Sequence, residues 1–109
     1  MIKISLSRKI WIVKKKIIEE IDKLVEDIQV SSVLNNNRYI NKIFSEKIVP
    51  VLFEIKTNLE VSNPVQIEFK EKINYCVATT SDIVDLNSNY SVFYSRIRIL
   101  RENILTKIK

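Results

Sequence analysis

Carboxylates at helical spacing come closest to a reactive constellation in this chain. Glu19/Asp22/Glu26, Glu68/Glu71 and Asp82/Asp85 each recur at three or four residues, so each set shares one face of a helix. Such sets suit a hard cation with oxygen ligands. Lys23 and Lys72 stand among them, however, and acids interleaved with lysines read as a solvated helix face, so no metal ligand is assigned. The only thiol, Cys76, has one base within a turn, Lys72, and falls at an apolar position where a thiol is normally inert filler. The chain contains no His. That removes a histidine general base, a Ser–His–Asp arrangement, an imidazole metal ligand and the Glu-x-x-His di-iron pattern. It also contains no Gly, which removes Gly-rich phosphate loops and the positive-φ turns of tight hairpins. The expectation is a protein that is not an enzyme and takes no cofactor, metal or small-molecule substrate.

Charge is the more informative pattern. The net +5 is unevenly spread: residues 1–16 carry Lys3, Arg8, Lys9, Lys14, Lys15 and Lys16 with no acid, residues 17–95 sum to −5, and residues 96–109 sum to +4. Trp11 lies among the first bases, with Arg8 three residues before it and Lys15 four after, on its own helical face. Arg98 and Arg101, three apart, match a clamp for a phosphate or carboxylate, and equally a complement to the negative end of a helix dipole. The candidate anion-binding set is therefore Arg8, Lys9, Trp11, Lys14, Lys15, Lys16, Arg98 and Arg101.

The elements that must position this set are helices. Leu6, Ile10, Val13, Ile17, Ile21, Leu24 and Ile28 step by three and four, with Trp11, Ile18 and Val25 widening the stripe. Burying each of these is worth about 1.5–3 kcal/mol, against a few tenths for β-branched helix propensity, so packing decides. Ser7 reads as the N-cap, residues before it as an extended arm or frayed start, and the helix ends near Val30. A second helix reads from about Arg38 to Val61 on Ile40, Phe44, Ile48, Val51, Ile55 and Leu59, with Ile43 and Leu52 widening the face. Pro50 inside it predicts a kink near Ser45–Val49, or two shorter helices meeting there.

Ser62-Asn63-Pro64 with Gln66 has the spacing of a capping box for a third helix. Its stripe is Val65, Phe69, Ile73, Cys76, Thr80 and Ile83. The alternation of Val65, Ile67 and Phe69, and of Ile73, Tyr75 and Val77, keeps open a β-hairpin at about 65–80, giving an α+β fold as the alternative. The uncharged run Tyr75–Ser81 suits close helix approach with hydroxyls bonding back to the backbone. Ser88 or Asn89 caps a last helix on Tyr90, Phe93, Ile97, Leu100, Ile104 and Ile108.

These elements predict an all-α fold, an antiparallel four-helix bundle about 30 Å long with a Pro50 kink in the second helix, as a single domain over residues 1–109. Antiparallel threading brings both cationic ends to one pole. The acids Glu19, Glu20, Asp22, Glu26 and Asp27 are expected towards the other, beyond a Debye length of about 8 Å. With one Cys there is no intrachain disulfide, and no apolar run reaches the roughly 18 residues of a membrane span. The acid-free start echoes a targeting leader, but the helical stripe runs through it, so it reads as part of the fold. The functional expectation is an intracellular helical interaction or assembly module, an adaptor or complex subunit, in a reducing cytoplasmic or nuclear compartment. Its basic pole serves an anionic partner, with a protein partner or self-association first. The alternative is DNA or RNA binding through phosphates, and the third an anionic membrane surface.

Overall fold

The computed structural model describes the backbone of residues 2–34, 37–60 and 66–107, and the side chains of residues 12–31, 37–60 and 69–107. Its elements are α1 (Ile2–Leu34), α2 (Arg38–Ile43), a π-helical turn (Phe44–Ile48), α3 (Val49–Glu60), α4 (Gln66–Leu86), a 3-10 turn (Ser88–Tyr90) and α5 (Ser91–Lys107). α2, the π turn and α3 are continuous, so the chain makes four rods. Among the described residues there is no strand, and the hairpin alternative at 65–80 is excluded over the described part of that range, since α4 is helical from Gln66. The capping box at Ser62-Asn63-Pro64 lies outside the described residues.

Each rod buries the line its period marks. On α1 these are Ile17, Ile21, Leu24, Val25 and Ile28; on α4, Phe69, Ile73, Cys76, Thr80 and Ile83; at the start of the fourth rod and along α5, Tyr90, Phe93, Ile97, Leu100 and Ile104. The second rod buries Ile40, Phe44, Ile48, Leu52, Ile55 and Leu59, so Leu52, expected beside the line, takes the inner place and Val51 is half-buried at the edge of the core. At the π turn Val49 N–H donates to Phe44 O, five residues back, so this turn takes more residues than an α turn. It sits one turn before Pro50, which has no N–H to give and whose ring crowds the carbonyl four residues back.

The caps correct several local expectations. α1 begins at Ile2 and runs through Ser7, which is therefore interior rather than an N-cap, and it continues to Leu34 rather than ending near Val30. Asn37 caps α2, its Oδ1 accepting from Ile40 N–H at 3.1 Å. At the last break the cap is Asn87, not Ser88 or Asn89: Asn87 Oδ1 accepts from Asn89 N–H at 3.0 Å and opens the 3-10 turn that leads into α5. No described residue has positive φ, so a chain without Gly makes these turns with Asx caps instead.

α1 packs against α3 and α5, α3 against α4, and α4 against α5, closing a four-membered ring. Two contacts fix the α1–α5 direction: Arg96 Nη1 reaches Asp27 Oδ2 at 2.7 Å, and Asn103 Nδ2 donates to Glu20 Oε2 at 3.2 Å. Seven residues forward on α5 match seven back on α1, so the pair is antiparallel. Phe44 meets Tyr90 and Phe93 with ring centroids at 5.8 and 5.5 Å, closing the end of the core where the second and fourth rods start. The molecule extends 54 × 23 × 19 Å, well beyond the 30 Å expected. The excess belongs to α1, whose 33 residues span about 50 Å.

Candidate functional site

The α1–α5 register places Lys107, at the end of α5, level with Lys16 of α1. Lys56 Nζ pairs with Asp22 Oδ1 at 2.8 Å, which puts Glu60, the last residue of α3, within a turn of the same level. The core reaches Val13, which packs against it, and Lys14, which is buried. Ile2 to Trp11 therefore continue α1 as helix for about 15 Å past the level at which α3 and α5 end. That stretch holds Arg8, Lys9 and Trp11, whose side chains lie outside the described residues. Lys15 and Lys16 are exposed where α1 enters the bundle.

Arg98 and Arg101 do not join this group. Arg96 and Asn103 mark the side of α5 that faces α1, and Arg98 and Arg101 lie about 140–200° around the helix from Arg96. Arg101 Nε donates to Asn74 Oδ1 of α4 at 2.6 Å. Arg98 is stacked over the Tyr94 ring, 5.6 Å from its centroid. Together they line a shallow groove that also contains Glu102, a carboxylate placed where a clamp for an anion would hold none. The cation of α5 that does reach the pole is Lys107, which the helix brings round to the α1 side. Its signal in the sequence is the line Arg96, Asn103, Lys107, whose spacing of seven and four keeps one face.

The acidic run is not held apart from the pole. Glu19 follows Lys16 by about 4.5 Å of helix rise, inside a Debye length of about 8 Å. The reason is the length of α1: the other rods engage it from its middle, so Glu19–Asp27 lie beside them rather than at the far end. Three of these acids are tied to neighbours. Glu20 accepts from Asn103, Asp22 pairs with Lys56, and Asp27 pairs with Arg96 and, at 3.4 Å, with Lys23. The Arg96 guanidinium, helped by Lys23, holds the Asp27 carboxyl below its usual range, and Asp22 raises Lys56 above its own.

Cys76 is fully buried, and burial pushes its thiol up to about 12, so it holds almost no thiolate at neutral pH. Thr80, also fully buried, donates its hydroxyl to Cys76 O, which satisfies the polar position on the α4 stripe. Tyr90 and Phe93 belong to the core and Tyr94 to its rim. No group of three or more metal-ligating side chains occurs among the described residues. No helix, among the described residues, is long and apolar enough to cross a membrane. Comparison with family models, with curated proteins and with solved structures gives no match.

Proposed function

We propose that this chain is a non-enzymatic interaction module that uses the leading part of α1 to engage an anionic protein partner, the bundle serving as its holder. The observation that carries this reading is the run of α1 past the ends of α3 and α5. It delivers Arg8 and Lys9, with Lys15 behind them, on the acid-free leading turns of α1. A cluster of like charge of this kind attracts negative charge and raises the association rate with acidic surfaces. The rest of the chain supports a holder's role: its thiol is buried, and Asp22 and Asp27 form ion pairs with neighbouring rods. A reduced, unpaired thiol fits a cytoplasmic or nuclear setting.

The test compares the wild-type chain with the Arg8→Glu/Lys9→Glu/Lys15→Glu variant in capture from the native source. Defined probes are run alongside: duplex DNA, duplex RNA and vesicles with or without anionic lipid. Capture of a protein by the wild type and its loss in the variant is the expected result. Capture that survives charge reversal overturns the reading. Duplex binding with a log–log salt slope near −0.9 per phosphate contacted on DNA would replace it with nucleic-acid recognition. Binding to anionic vesicles alone would replace it with membrane-surface attachment, worth about 1 kcal/mol per base.

A further inference from the structure

The outer face of α1, opposite the core, is lined by Ile12, Lys16, Glu19, Lys23, Glu26 and Val30. These step by four, three, four, three and four, so they form one straight line along the helix. All six are exposed. Read along the chain, the line is apolar, positive, negative, positive, negative, apolar.

This order is its own complement when reversed. A two-fold axis at the level of Ile21 sets Ile12 against Val30 of a second copy, Lys16 against Glu26, and Glu19 against Lys23, and each pairing repeats on the other side of the axis. Every layer is then either apolar against apolar or base against acid. The ends of the line are the apolar residues, Ile12 at 51% and Val30 at 52% exposure. Beside it α5 presents Val92 at 57% and Ile99 at 59%. Half of the eight large apolar side chains that the described residues expose thus flank this one face. Between α1 and α5 runs a groove of about 460 Å³ lined by Lys16, Glu19, Lys23, Arg96, Ile99 and Leu100, with space for the flank of another helix.

We propose that the chain self-associates through this face as an antiparallel, two-fold dimer. The surface shares only Lys16 with the candidate anion-binding set and does not rest on the reading above. The line carries equal numbers of acids and bases, so it selects neither a strongly acidic nor a strongly basic partner; what complements it is the same order of charges run backwards, which a second copy supplies. A contact between identical patches closes at two subunits. Its ion pairs are exposed and individually weak, so the dimer forms in the micromolar-to-millimolar range and is weakened by salt.

Sedimentation of the full chain at low salt tests this with two charge variants, Lys16→Glu/Lys23→Glu and Glu19→Lys/Glu26→Lys. The wild type is expected to dimerise reversibly and to dissociate as salt rises. Each variant alone meets like charge in every charged layer and stays monomeric, whereas an equimolar mixture restores every pair and forms a heterodimer. In the wild type, concentration-dependent amide broadening is expected along the outer line of α1 and at Val92 and Ile99, a readout that needs no variant to fold. A wild type that remains monomeric to millimolar concentration, variants that dimerise as the wild type does, or broadening centred on α3 and α4 overturns the proposal.

Discussion

From Val13 to Ile28, α1 lies against α3 and α5, its apolar line is buried and Glu20, Asp22 and Asp27 are tied across to Asn103, Lys56 and Arg96. From Ile2 to Trp11 the same helix, with the same period of Leu6 and Ile10, has run past the level at which those rods end. The neighbouring rods accompany the first stretch and end before the second. The difference teaches that an amphipathic stripe states which face of a helix wants cover, while the lengths of the neighbouring rods decide where that cover stops.

Truncation separates the covered and uncovered sides of α1 most sharply. Ile21→Ala, at a fully buried site, is expected to cost about 2–5 kcal/mol in denaturant unfolding, whereas Ile12→Ala, exposed where α1 enters the bundle, stays within about 0.5 kcal/mol. Equal costs would place Ile12 in a core and break the comparison.

A smaller effect sharpens the bundle side. The Cys76 thiol, pushed up to about 12 in the folded chain, titrates lower when unfolded. Its contribution is fully present below the unfolded value of about 8.5 and is lost as pH rises through the folded one. At pH 10 the thiol is expected to have cost about 2 kcal/mol of stability relative to pH 7, a decline that the Cys76→Ala chain lacks. Parallel pH curves for the two chains would show that Cys76 is not buried as described.

The smallest effect concerns the pairing of α1 with α5. Asp27 is held low by Arg96, so its contribution is present above the unfolded value of about 3.9 and is lost as pH falls through the folded one. In Arg96→Gln the Asp27 carboxyl should titrate closer to the ordinary carboxylate range by NMR. An unchanged titration would mean that Lys23 alone accounts for the shift.

Much of the fold was legible in residue spacing because burial enforces it. Phe69, Ile73, Cys76, Thr80 and Ile83 alternate by four and three, and no strand could bury all five on one side. The π turn at Phe44–Ile48 was not legible, since Pro50 marks where the ladder of backbone bonds must be interrupted but not the form the helix takes beside it. Nor was the placement of Arg98 and Arg101. A three-residue spacing says that they share a face, but which neighbour that face meets depends on the side on which α1 and α4 pack, and that is settled by the whole ring of rods. The charge asymmetry of residues 1–16 was legible outright, whereas its distance from Glu19 and Glu20 depended on how far α1 outruns its neighbours.

Amide hydrogen exchange along α1, read residue by residue, tests that overrun most directly. Protection close to the global unfolding limit is expected from Ile17 to Ile28, with a fall to the weaker protection of a helix end that outruns its neighbouring rods between Trp11 and Ile2. Uniform protection from Ile2 to Leu34 would mean that the leading segment is packed within the chain, and would contradict the overrun.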